Sequence, residues 1–147
     1  MKVEWTDTEF IRGFEGFKLE AYLDIAGIWT CGFGCTGEDI TEGTIWTEEY
    51  AKKRFMEEID KFCLKLDKCL PVNIPKNKYL ACLSLAYNIG MGSFNASTLL
   101  KYLKTFDYGS AASEFTKWSY VTQRGKKVFS KGLQERRKQE RDLFLKP

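Results

Sequence analysis

The stretch Leu19-Glu20-Ala21-Tyr22-Leu23-Asp24-Ile25-Ala26-Gly27-Ile28-Trp29-Thr30-Cys31-Gly32-Phe33-Gly34-Cys35-Thr36 has no helical periodicity. Between Leu19 and Trp46 seven Gly or Asp residues (Asp24, Gly27, Gly32, Gly34, Gly37, Asp39, Gly43) cut the chain into short β-like pieces. Within them Trp29–Thr36 alternates strictly. Trp29, Cys31, Phe33 and Cys35 share one strand face, Thr30, Gly32, Gly34 and Thr36 the other. The first is predicted to face a core. The second is nearly bare backbone with hydroxyls, as a close-lying polymer ligand would require.

On either side the pattern is helical. Thr6-Asp7-Thr8-Glu9 reads as a capping box, and Phe10, Ile11, Phe14 and Phe17 form an apolar stripe, predicting a helix over about 6–16 that Gly16 closes. Glu15 would then lie at the negative end of a short helix, at the margin of the stripe. Both effects disfavour its charged form and suit a general acid. After Trp46 everything reads as helix. Thr47 caps a long one with the stripe Ala51, Phe55, Ile59, Phe62 and Leu66, ending before Pro71. Pro75 opens the next, whose Tyr79–Ile89 segment is apolar nearly all round and is expected to be the buried central helix, ended by Gly90 and Gly92. Ser97–Leu103, Asp107–Trp118 and Lys131–Phe144 complete a bundle. The expectation is an α+β fold in one domain over 1–147. A β-lobe at about 17–46 is joined by a helix at about 47–69 to a helical lobe at about 70–147.

Composition narrows the chemistry. A chain of 147 residues fits one domain at roughly 150 residues per domain. With 44% hydrophobic and 29% charged residues and 3 prolines, it is neither disordered nor collagen-like. No apolar run approaches the ~20 residues of a membrane span. Met1-Lys2-Val3-Glu4-Trp5 lacks the apolar core of a cleaved secretory signal. There is no His, which removes imidazole bases, His-assisted nucleophiles and His-ligated metals, and leaves acid–base work to carboxylates. The five cysteines (Cys31, Cys35, Cys63, Cys69, Cys82) read as free thiols. A four-Cys zinc site is the alternative, at spacings unlike the usual C-x2-C. No metal and no cofactor is expected.

Charge is uneven. Residues 1–116 carry a net −4 and residues 117–147 a net +7. That polarity favours an anionic partner (nucleic acid, membrane surface or envelope polymer), or else a solvated basic helix face.

Glu15, Asp24 and Thr30 bracket the glycine-rich segment. A protonated carboxyl to donate to a leaving oxygen and an ionised one to activate water are what glycoside hydrolysis needs. The sequence here resembles the phage-type lysozymes (glycoside hydrolase family 24, the endolysins of tailed phages). Glu15-Gly16-Phe17-Lys18-Leu19-Glu20-Ala21-Tyr22-Leu23-Asp24 looks like the family's E-G-x-x-L-x-A-Y-x-D, and Gly27–Gly34 is similar to G-x-x-T-x-G-x-G. Tyr87–Phe94 with Ser97–Leu100, and Gly132–Arg137 with Glu140, extend the resemblance from about Ile11 to Phe144.

The resemblance implies a two-lobed muramidase that cleaves the β-1,4 bond between N-acetylmuramic acid and N-acetylglucosamine in peptidoglycan. Glu15 would be the general acid, and Asp24 and Thr30 would position the attacking water. Gly32, Gly34 and Asn88 would contact the glycan, Asn88 having a helix-capping role as its alternative. Arg136 and Arg137 would form an inward salt bridge to the N-terminal helix. A carboxyl gap of about 6.5–9.5 Å would admit the water of an inverting reaction, and about 5 Å would favour retention. The protein would act as a monomer, without stable membrane insertion or nucleic acid. It would wait in the host cytoplasm until a holin-type lesion opens the way to the periplasm and wall. The basic C-terminal segment could add a grip on anionic envelope polymers. Cys35 stands where the family commonly has His, and Cys31 where it has an aliphatic residue. Two other readings stay open: a lytic transglycosylase on the same bond, and a catalytically silent envelope- or nucleic-acid-binding module.

Overall fold

In the computed structural model, which describes residues 1–147, the first helix falls short of its apolar stripe. Thr6–Thr8 is a 3-10 turn and α1 spans only Glu9–Arg12. The capping box is not made. Asp7 Oδ2 accepts instead from the Glu4 amide at 2.8 Å, and the Thr8 hydroxyl donates to the Trp5 carbonyl at 2.7 Å. At the other end the Phe14 and Glu15 amides bond the Ile11 and Arg12 carbonyls, a tightened turn that stops the helix before Gly16. Glu15 therefore follows the helix rather than ending it.

The chain forms two compact units, Met1–Lys61 and Phe62–Pro147. In the first, β1 (Lys18–Leu23) pairs antiparallel with β2 (Trp29–Gly32), with Tyr22 opposite Thr30 and Leu23 opposite Trp29. A bulge separates these pairs from Lys18 opposite Gly32. The bulged stretch is held on its other edge, where Ala21 donates to the Thr44 carbonyl and Trp46 to the Leu19 carbonyl, each at 2.8 Å. The strict alternation predicted through Thr36 ends at Gly32, whose φ of +66° turns the chain. Cys31 and Cys35 then exchange both backbone hydrogen bonds across the turn. The core of this unit gathers Ile11, Phe33, Ile40, Trp46, Ala51, Phe55 and Ile59, with the Phe33 and Phe55 rings 5.4 Å apart. Helix α2 (Glu48–Cys69) is capped as expected, Thr47 Oγ1 accepting from the Tyr50 amide.

In the second unit α3 (Lys76–Ile89) buries Tyr79 and every residue from Ala81 to Ala86. The short helices α4 (Met91–Asn95), α5 (Thr98–Lys104) and α6 (Tyr108–Glu114) follow. Ser97 and Asp107 accept from the Leu100 and Ser110 amides as the caps of α5 and α6. Gly90, at φ +89°, ends α3, whereas Gly92 lies inside α4. Helix α7 (Lys131–Leu145) packs on α3, and its carbonyl end is satisfied from there. Asn77 Nδ2 donates to the Leu143 and Lys146 carbonyls, and Lys78 Nζ to that of Phe144.

The all-helical reading after Trp46 fails at one place. Residues Tyr120–Gln123 and Lys126–Phe129 are strands β3 and β4 of a regular hairpin. Arg124 (φ 52°) and Gly125 (φ 76°) make its two-residue turn, the left-handed pair that matches strand twist. All eight strand residues are exposed, so no apolar–polar alternation announces them.

Candidate active site

Glu15 sits on the turn after α1, half-buried, with its amide held by the Arg12 carbonyl. Its carboxyl lies against the backbone at Gly34, where an added Cβ would come within 2.8 Å of Glu15 Oε2. Gly34 also has φ +78°. Two independent constraints thus demand glycine there, conformation and the closeness of the carboxylate.

Asp24 closes the β1–β2 turn. One oxygen, Oδ1, accepts from the amides of Ala26 at 2.9 Å and Ile28 at 2.8 Å. The Asp24 amide itself donates to the Ile28 carbonyl. The carboxylate is fixed by the turn it caps, while Oδ2 makes none of these bonds. Thr30, 4% exposed, donates its hydroxyl to the same Ile28 carbonyl at 2.9 Å. With its proton committed, the Thr30 oxygen offers lone pairs only, so it can accept from a water but not donate to one.

Tyr22 stands opposite Thr30 and beside Gly16, next to Glu15 in the chain, and the sequence motifs assign it no role. It pairs across the sheet with Thr30, and its hydroxyl lies beside Gly16, where an added Cβ would be 3.5 Å away. Asp24 follows two residues on, just past the end of β1. Burial pushes the Tyr22 phenol up, and the charges of Glu15 and Asp24, then Cys31, push it further. Lys18 Nζ stacks 4.8 Å from the Tyr22 ring. The available signal is the position of Tyr22 inside the A-Y-x-D stretch, two residues before Asp24.

Of the expected glycan contacts, Gly34 stands beside Glu15, but Gly32 belongs to the packing. A Cβ at Gly32 would meet the Trp46 ring at 3.1 Å and Ala51 at 3.3 Å, so its missing side chain admits the indole rather than a ligand. Asn88, in the other unit, is exposed and lines a hollow of about 340 Å³ with Ser93, Trp118, Tyr120 and Leu133. The Gly90 amide, not the Asn88 side chain, caps the end of α3 by bonding the Ala86 carbonyl. Arg136 and Arg137 turn inward. Arg137 Nε is 2.7 Å from Glu140 Oε1, Arg136 Nε is 3.2 Å from Oε2, and Ser84 Oγ donates to Oε2 at 2.5 Å. The pairing lies within α7 and to α3, a buried cluster that orders the second unit.

All five cysteines are free thiols, and no three Cys, Asp or Glu side chains gather in a way that could hold a metal ion. Burial pushes the Cys35 thiol up to about 11, the Arg54 guanidinium opposing.

The phage lysozyme family model matches residues 12–140. The endolysin of Acyrthosiphon pisum secondary endosymbiont phage 1 is 40% identical over 134 residues, covering 91% of this chain and 91% of the relative. The endolysin of Bacillus phage B103 is 36% identical over 147 residues, 99% of this chain, but the chain spans only 54% of that relative's length. The structure is similar to that of the endolysin from Escherichia coli O157:H7 phage FAHEc1, with a TM-score of 0.92 and 34% identity, covering 99% of this chain and 94% of that one.

Proposed function

The chain belongs to the phage lysozyme family, and from that premise we propose that it is a muramidase hydrolysing the β-1,4 bond between N-acetylmuramic acid and N-acetylglucosamine in peptidoglycan. The observation that carries this reading is the Glu15 carboxyl lying against the backbone at Gly34, four residues past Thr30 on the chain that leaves the hairpin capped by Asp24. A carboxyl beside a glycine-lined segment, with a second carboxyl fixed at the same hairpin's turn, supports a glycosidase pair. Glu15 protonates the glycosidic oxygen as the bond to the anomeric carbon breaks. A water between Asp24 and Thr30 gives one proton toward Asp24 Oδ2, directs the other at the Thr30 oxygen, and attacks the anomeric carbon. The hydrogen bonds that hold Asp24 Oδ1 and the Thr30 hydroxyl support that assignment, since they leave an acceptor on each side for the water. Gly34 keeps the space beside the Glu15 carboxyl clear for the glycan. Asn88 contacts the substrate from its hollow. The protein works as one lysozyme-like domain and a monomer, and is released to the wall from the host cytoplasm when the inner membrane is breached.

Product analysis on purified peptidoglycan tests this, wild type beside Glu15→Gln. The expected result is new muramic-acid reducing ends, with turnover falling about 10³-fold in the variant, within the range for a general acid, and an unchanged thermal midpoint. Anhydro-muramic ends would make the protein a transglycosylase. No release by the wild type would leave a wall-binding module.

A further inference from the structure

The +7 of the C-terminal segment is not spread along a helix face. Arg136 and Arg137 are buried and spent on Glu140, while Lys138 pairs with Glu135 and Arg141 with Asp142. Lys117 is bound to Glu114. What remains is Arg124, Lys126 and Lys127 on the β3–β4 hairpin, Lys131 just past it, and Lys146 at the far end of α7. No acidic residue occurs between Glu114 and Glu135.

The same hairpin exposes apolar surface. Tyr120 is 52% exposed and Phe129 49%, with Val121 and Val128 also open. The cross-strand register gives each face its own set. Tyr120, Thr122 and Lys127 line a hollow of about 310 Å³ with Leu99 and Trp118, on the side toward their own unit. Gln123, Lys126 and Val128 lie on the opposite face, with Arg124 at the tip, while Val121 also borders the hollow of Asn88 and Trp118. The hairpin is closed at its base by the Ser130 amide donating to the Ser119 carbonyl.

We infer that the β3–β4 hairpin docks the protein on an anionic phospholipid surface through its tip and outer face, its cations meeting headgroup phosphates and Val128 entering the interface. Charge complementarity alone would equally suit a soluble polyanion, such as a nucleic acid. Val128, exposed among Gln123, Arg124 and Lys126 on the outer face, decides between them, because a polyanion in water offers it nowhere to go, whereas a bilayer interface rewards apolar area. The attachment is peripheral: no helix of the chain is long and apolar enough to cross a membrane. Its strength falls with salt, as the exposed charges are screened.

Co-sedimentation of the full chain with phosphatidylglycerol–phosphatidylcholine vesicles, against vesicles of phosphatidylcholine alone, tests the docking without any turnover. Binding is expected only to the anionic vesicles. The triple variant Arg124→Gln, Lys126→Gln, Lys127→Gln is expected to bind roughly 100-fold more weakly, at about fivefold per cation. Val128→Ser, which keeps every charge, is expected to weaken binding by about fourfold, from the loss of its buried apolar area. An unchanged thermal midpoint and unchanged digestion of purified sacculi establish that the variants are folded. Equal binding to both vesicle types, no effect of the triple variant, or retention on heparin with no vesicle binding would each overturn the assignment.

Discussion

Two antiparallel hairpins of similar size occur in this chain, and they are built on opposite principles. The β1–β2 hairpin is irregular: bulged in its first strand, ended by a left-handed Gly32, and tied by loop 44–46 on its outer edge. Its residues Thr30, Cys31 and Gly32 are buried. The β3–β4 hairpin is regular over all four pairs and buries none of its strand residues. Irregularity under load from neighbours fixes side chains at chosen positions, which catalysis needs. A regular ladder in solvent leaves its side chains free to meet a surface that is not part of the protein. Site precision in this molecule follows from how many neighbours constrain a turn, not from how ideal the turn is.

The contrast can be tested by matched substitutions. The largest effect is expected from Asp24→Asn. The amide keeps an oxygen to accept from Ala26 and Ile28, so the hairpin and its thermal midpoint survive while turnover on peptidoglycan falls by about 10³. Next comes a glycine pair. Gly34 and Gly125 share nearly the same backbone, φ +78° and +76°, so alanine at either should cost about 1–2 kcal/mol of stability in a denaturant titration. Only at Gly34 does the new methyl strike the Glu15 carboxylate. Turnover should therefore fall a further ~10²-fold there, by displacement of the acid, and not at all at Gly125. Equal turnover in the two variants would show that Glu15 is not held by this contact.

Tyr22→Phe is smaller still. Loss of the phenol should lower kcat about tenfold, less than a direct transition-state donor would cost, and shift the pH–rate profile, because it lies beside both carboxyls. A merely structural tyrosine would leave the profile in place. The last effect is one of stability, and it leaves turnover at neutral pH untouched. The Cys35 thiol, near 9.0 when unfolded and about 11 when folded, takes up no charge in the native state between those values. Its contribution is complete below pH 9 and is lost as pH rises toward 11, up to about 3 kcal/mol. Urea titrations across that window should show a falling stability whose slope Cys35→Ala reduces without abolishing it, since burial also raises the Cys31, Cys69 and Cys82 thiols.

The sequence disclosed the fold where local chemistry and tertiary packing agree. Thr47, Ser97 and Asp107 cap the helices they precede, and Pro75 opens α3. Glu15, Asp24 and Thr30 are candidates because the resemblance to the phage-type lysozymes falls on them, their spacing alone being a weak signal in a chain with 20 acidic residues. The N-terminal helix was overread because its stripe is satisfied by a short helix followed by a tight turn, while Asp7 bonds backward to Glu4 rather than joining a capping box. At Gly32 alternation reports which face the residue occupies, not that the Trp46 ring lies within 3.1 Å of where its Cβ would be. The second hairpin went unseen because exposure on both faces erases the period-two signal. Its one local mark was Gly125 between β-branched segments.

The double hydrogen bond on Asp24 has a further consequence for how this position can change over generations. One oxygen holds the turn and the other is left for the chemistry, so the residue is selected twice, once for folding and once for turnover. Asn would pass the first selection and fail the second. Glu, one methylene longer, keeps the charge but no longer reaches the Ala26 and Ile28 amides from the same backbone. A lineage that loses the activity would thus keep a folded relic with Asn at this position. Regaining the activity would take a single amide-to-carboxylate reversal, with no need to rebuild the turn.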